Sequence, residues 1–266
     1  MAGASAPAPR VEARGPAPQW HDLHFRIRKL FFTVDAALDW RRVPAASAAR
    51  ELLPVAEGRP RAPAGHSVVR LRLRIRHFLG RLDRTVWFDP DSGMPLQVRE
   101  QSDGDTVRIW RYLEDGVLHV RERRSGPDGA TDVLRRRTAW TVPQAAAMIE
   151  ADTLLYLLPA SDLLEPGQRR RFILRVKGRP VAVEARVETA APADGARREG
   201  GAAGPSGQEL VRIVLDAVDE RETLRAIGLR GPLEVYLDPR SRAPVRVQGR
   251  LKWIGRVKAR LVRPPG

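Results

Sequence analysis

The sequence predicts a mainly β protein: a curved antiparallel sheet or open half-barrel with one main helix packed on its concave face. Three observations lead there. Apolar and polar residues alternate with period two in about a dozen segments. Turn-forming clusters separate those segments, among them Glu114-Asp115-Gly116, Gly126-Pro127-Asp128-Gly129 and Glu165-Pro166-Gly167. Only one stretch, Pro143 to about Leu158, reads as a persuasive helix.

In chain order, Met1 to Gln19 is rich in Ala and Pro and poor in bulky apolar residues, which predicts a disordered tail. The remainder, residues 20–266, reads as a single β-rich domain with two meander halves, about 20–140 and 160–266. A short helix is read in Ala45 to Leu53, followed by a Pro/Ala/Arg-rich connection from about Pro54 to Gly65. In the strand from Val68 to Phe78, Val69, Leu71, Leu73 and Ile75 share one face. Arg70, Arg72, Arg74 and Arg76 share the other, so one face is buried and one solvated.

Further strands are expected at Thr85 to Phe88, Leu96 to Arg99, Val107 to Tyr112 and Val117 to Arg123. After the helix come Phe172 to Val176, Val181 to Val187, Leu210 to Val218, Leu233 to Leu237, Val245 to Trp253 and Val257 to Val262. Short turns between neighbours require antiparallel pairing, because a parallel pair needs a long crossover. The helix opens with Thr141 as cap and Pro143 in its first turn, where the missing amide costs nothing, and Pro159 closes it. Residues 190–207 read as a flexible insert between two strands.

Two segments repeat each other. VWFDPDSGMPLQV, Val86 to Val98, aligns with VYLDPRSRAPVRV, Val235 to Val247. In each, the Asp (Asp89 or Asp238) can accept from amides just beyond it in an Asx turn. The first Pro presets the turn, and the second restarts a strand at a position where Pro is tolerated. This identifies the Asp residues as turn formers and the segment as a meander used twice.

The chain carries a formal net charge of +15, and only four of its 47 basic residues are lysine (Lys29, Lys177, Lys252 and Lys258). Abundant Ala, Gly and Pro alongside that arginine match the output of a GC-rich genome without selection for binding. The charge nevertheless predicts attraction to anionic lipid, polysaccharide or nucleic acid. The chain has no cysteine, which excludes disulfides, Cys-zinc sites and thiol chemistry. No apolar run approaches the roughly 18 residues of a membrane span, so a soluble protein with no transmembrane segment is expected. The N-terminus shows no signal-peptide core, although its Ala/Pro-rich character suits the region after a cleavage site.

No phosphate-binding GxxxxGK[ST] loop, dinucleotide-binding GxGxxG or nucleophile-elbow GxSxG occurs, and no carboxylate pair marks itself as catalytic. His21 and His24 are a weak metal pattern without a carboxylate in register. No enzyme activity, cofactor or metal is therefore expected. The aromatic residues Trp87, Trp110, Trp140, Tyr156 and Trp253 are the candidate lining of an apolar ligand pocket between sheet and helix. The alternative is a basic interaction protein. In it Arg70, Arg72, Arg74 and Arg76 bind an anionic polymer, nucleic acid or a partner protein, nucleic acid being the least expected because no recognisable module accompanies the charge.

Asp152, Leu154, Tyr156, Pro166, Gly167, Asp238, Pro244, Gly255 and Leu261 carry a family resemblance. They set an Asp-led helix before a Pro-Gly turn, then a strand, an Asp turn, a Pro-Val-Arg strand and a glycine before the last strand. In this the chain resembles the bacterial domain of unknown function 3108 family, from roughly Leu23 onward. The resemblance implies an exported, periplasmic protein with a β sheet wrapped around a helix, as in the half-barrels of lipoprotein carriers. It implies no reaction and no catalytic residue.

Overall fold

The computed structural model describes residues 16–29, 32–77, 80–125, 130–140, 147–189, 210–251 and 254–263. The predicted tail up to residue 15, the insert 190–207, and Thr141, Pro143 and Trp253 lie outside the described residues.

Sixteen strands form one large, curved, unclosed sheet. Its first part comprises β1 (Asp22–Lys29), β2 (Phe32–Pro44), β3 (Ser67–His77), β4 (Gly80–Phe88), β5 (Pro95–Ser102) and β6 (Thr106–Tyr112), with the hairpin β7 (Gly116–Ser125) and β8 (Ala130–Ala139) added at one edge. Its second part comprises β9 (Ile149–Glu150), β10 (Arg169–Val176), β11 (Arg179–Glu188) and β12 (Val211–Ala217). The short β13 (Arg225–Ala226), then β14 (Leu229–Leu237), β15 (Pro244–Leu251) and β16 (Gly255–Arg263) complete it. Strands pair with their sequence neighbours, except that β8 and β9 are the two opposite edges, β1 pairs β16 and β12 pairs β14, with β13 folded onto β14. Two six-stranded meanders, β1–β6 and β10–β16 without β13, thus join edge to edge through the β1–β16 pair.

The two copies of the sequence repeat are the β4–β5 and β14–β15 turns, and they share the same Asp-to-amide hydrogen bonds. Asp89 Oδ1 accepts from the amides of Asp91 (3.0 Å) and Ser92 (2.8 Å), while Asp238 Oδ1 accepts from those of Arg240 (2.8 Å) and Ser241 (3.0 Å). Both turns then place one residue in the left-handed region, Gly93 at φ 68° and Arg242 at φ 55°. Both also end in a bulge, where register shifts beside the Phe88–Pro95 and Leu237–Pro244 pairs.

Alternation assigns the faces as expected. Val69, Leu71 and Leu73 enter the main core with Leu23, Phe25, Leu38, Val86 and Leu174. On the opposite face the seven-residue helix α1 (Ala45–Glu51) covers a second, smaller cluster of Ala48, Val68, Trp87 and Leu96.

The single long helix expected over Pro143 to Leu158 is instead a composite. Ile149 and Glu150 are the strand β9, parallel to β10; Ala151–Thr153 is one 3-10 turn; and among the described residues of the segment, 147–158, only Leu154–Leu157 is α-helical (α2). The physical reason is burial on every side. Leu154, Leu155, Tyr156, Leu157 and Leu158 are all at most 4% exposed, so the segment has no solvated stripe to define an amphipathic helix. It fills the inside of the curve instead.

Candidate functional site

A row of cross-strand partners on the inner face, Leu73, Arg84, Glu100 and Arg108, runs over β3 to β6. Three charged residues side by side on a buried face require compensation, and the interior segment supplies it. Glu150, only 1% exposed, accepts from Arg84 (2.6 Å) and from Arg175 of β10 (2.6 Å), and Tyr112 of β6 donates its hydroxyl to the same carboxylate. Arg84 also meets Glu100 at 2.7 Å and Asp152 at 2.5 Å, and Arg108 meets Glu100 at 3.3 Å. The guanidinium of Arg175 lies 4.9 Å from the centre of the Trp110 ring, which stacks on His119.

Electrostatics follow from that geometry. Burial alone would raise the Glu150 pKa, but Arg175 and Arg84, with hydrogen bonds from Arg175 and Tyr112, outweigh it and hold the carboxyl below its usual range. Burial and the adjacent carboxylate push the Tyr112 phenol up, so it stays a donor. Burial opposes the charge on Arg84, yet Asp152, Glu150 and Glu100 overcome it and keep that arginine firmly protonated. Burial, then Arg108 and Arg175, lower the His119 pKa, which leaves a neutral imidazole at pH 7. Each of the three carboxylates is ion-paired with arginine, and together they form a strut that ties β4–β6 to β9, β10 and the turn that follows β9.

Two cavities flank this strut. The first, a polar cleft of about 550 Å³, is lined by the cluster together with Lys177, Arg225, Arg230 and the Ile227-Gly228 turn between β13 and β14. The second, an apolar chamber of about 520 Å³, is lined by Phe25 and Ile27 of β1, Phe32, Val34 and Ala36 of β2, Ile75 of β3, Leu155 of α2, and Val247, Leu251 and Ala259 of β15 and β16. Leu73, Leu82, Ile227, Gly228 and Leu229 line both, so the cavities adjoin. The turn at their junction is fixed by the Ile227 amide, which donates to Asp152 Oδ1 at 3.1 Å. Each volume is several times the roughly 150 Å³ of a cavity left by one deleted side chain, and lies within the roughly 300–1,000 Å³ range of small-molecule sites.

The aromatic residues singled out in the sequence are dispersed. Trp110 lines the polar cleft. Tyr156 is buried edge-on to Trp40 and Phe88, at 5.0 and 5.3 Å between ring centres. Trp140 stacks on Tyr112 and sits 5.4 Å from the Arg61 guanidinium. Trp87 is on the opposite face, donating its indole N–H to Glu51 of α1. None of these four lines the apolar chamber. The arginine row of β3 lies on the outer face with carboxylates beside it: Arg70 meets Glu51, Arg72 meets Asp83 and Arg74 meets Asp39, while Arg76 is exposed.

His21 packs on Trp40 and His24 approaches Asp22, and among the described residues no three His, Asp or Glu side chains gather as metal ligands. Among those residues, too, no helix is long and apolar enough to cross a membrane. An apolar pocket is expected from the sequence, but its lining differs from the aromatic set named for it, because β1 and β2, which lie outside the expected strands, form much of its wall. The signal was present in Leu23, Phe25 and Ile27, which alternate with His24, Arg26 and Arg28. No protein-family model, curated protein or solved structure matches the chain, so its resemblance to a family rests on the residues named above.

Proposed function

We propose that this chain is a non-enzymatic carrier or sensor that holds an apolar ligand, such as an acyl chain, inside its curved sheet. The observation that carries the reading is the apolar chamber of about 520 Å³, walled by the inward residues of β1–β3 and β15–β16. A well-packed interior leaves few voids larger than a water molecule. A chamber this size bounded mainly by Phe, Ile, Val and Leu, with Lys29 and His77 the only ionisable groups among the described residues of its lining, therefore favours apolar occupants over water. The family resemblance adds an exported, periplasmic setting to this reading. The alternative, an anion-binding arginine face on β3, has less support because Arg70, Arg72 and Arg74 already face carboxylates.

The test is uptake of a neutral apolar dye, N-phenyl-1-naphthylamine, by the purified chain, with native mass spectrometry for any lipid retained from the host. The expected result is saturable uptake that drops at least about 10-fold in Ala36→Trp, whose indole would occupy the chamber. No uptake, or equal uptake by a folded Ala36→Trp, defeats the proposal.

A further inference from the structure

The polar cleft has a charge imbalance that the strut does not use. Its three carboxylates, Glu100, Glu150 and Asp152, are taken up by Arg84, Arg108 and Arg175. Lys177, Arg225 and Arg230 line the same cleft, and among the described residues none of their three side chains has an ion-pair or hydrogen-bond partner. They are brought together by construction. Arg225 and Arg230 face each other across the β13–β14 pair, and Lys177 stands in the turn that joins β10 to β11. Three uncompensated cations around a partly enclosed cleft form an anion-binding arrangement, and two of them offer the planar fork that suits carboxylate or phosphate.

We propose that this cleft binds the anionic head of a single-chain amphiphile whose tail lies in the adjoining chamber. The proposal rests on the chamber reading above and gives it a ligand class: a carboxylate- or phosphate-headed lipid. The route is continuous, because Leu73, Leu82 and the Ile227–Leu229 turn line both cavities. A head held at Arg225 and Arg230 therefore stands at the mouth of an apolar compartment. Gly228, at φ 79°, lets the tight two-residue turn form there, and a methyl group in its place would touch Ile75 of the chamber wall. The strut fixes the turn through Asp152, so the head-group cations and the chamber keep one relative position.

The experiment compares hexadecanoate with hexadecanol as competitors of N-phenyl-1-naphthylamine at pH 8, with inorganic phosphate as the head alone. The expected result is a preference for hexadecanoate of roughly 10- to 100-fold, as charge-assisted hydrogen bonds supply. That preference should fall to about unity in Arg225→Gln/Arg230→Gln and fall partway in Lys177→Gln, an exposed turn substitution that spares the sheet. Equal competition by acid and alcohol in the unaltered chain, or a preference that survives the double substitution, overturns the head-group site and leaves the chamber standing. Displacement by phosphate alone overturns the amphiphile and assigns the cations to free oxyanions. If neither the dye nor either amphiphile binds, the chamber reading fails and this one with it.

Discussion

Replacing Glu150 by Gln is the most incisive test of the strut. The carboxylate is 1% exposed and is shared by Arg84, Arg175 and Tyr112. Arg84 would keep Glu100 and Asp152, but Arg175 has no second carboxylate among the described residues and its side chain is only 10% exposed. Breaking a buried pair by removing one partner costs about 3–5 kcal/mol, since the other charge stays buried. The glutamine oxygen can still accept one hydrogen bond, which returns about 1 kcal/mol. The expected net loss is about 3 kcal/mol, or about 1 M in the urea midpoint for a slope near 3 kcal/mol/M. Adding Arg175→Met removes the stranded cation and should recover part of the loss, so the pair is non-additive. Folding lowers the Glu150 pKa, so its stabilisation is complete above the unfolded value near 4.5 and disappears as pH falls through the folded one. Glu150→Gln should flatten that acid limb. A midpoint within 0.3 M of the unaltered chain (about a third of the shift expected from that slope), or no recovery on adding Arg175→Met, would refute the strut.

The repeat supplies a matched pair of substitutions. Asp89 is 1% exposed and also accepts from the Ala64 amide at 2.7 Å, so Asp89→Ala should cost about 2–4 kcal/mol. Asp238→Ala, losing only its turn amides, should cost about 0.5–2 kcal/mol by urea unfolding, and the reverse order would show that the turns differ in some other way. Gly93→Ala should cost about 2–3 kcal/mol, because its φ is 68° and a Cβ would stand 2.8 Å from Leu157 Cδ1. Gly104→Ala, at φ 93° with nothing within 4 Å, should cost only about 1 kcal/mol, and equal losses would remove Leu157 from the explanation.

Alternation made the sheet legible wherever one face is buried and the other solvated, as in Val69 to Arg76. It failed where that contrast is absent. In β8 residues 131–139 are all exposed, so no apolar face exists to read. In β2 the alanines at 36 and 37 blur the period. Between Ile149 and Leu158 almost everything is buried, so the period of the segment carries no information and only its apolar content shows. The repeat was readable because turn geometry imposes residue types at fixed spacing. The strut was not, because Arg84, Glu150 and Arg175 are far apart in sequence, and nothing local distinguishes a paired buried arginine from one on a solvated strand. The arginines that looked ordered in sequence, on β3, are outer-face residues, whereas the buried ones sit singly in otherwise unremarkable strands.

The position of the strut follows from the topology. With β8 and β9 at its edges, this sheet has no strand partner to complete a barrel. Side chains bridge the gap instead, with β4, β5 and β6 joined to β9 and β10 through Glu150 and its arginines. Closure by strand pairing would line that seam with backbone hydrogen bonds. Closure by a few long ionic side chains leaves space beside them, and the polar cleft is that space. The cleft adjoins the chamber because the β13–β14 turn reaches across the same gap to Asp152. Charges buried to bridge an open sheet leave a polar cleft beside its apolar interior, and the surplus of positive charge lining that cleft is what the proposed anionic head group would meet.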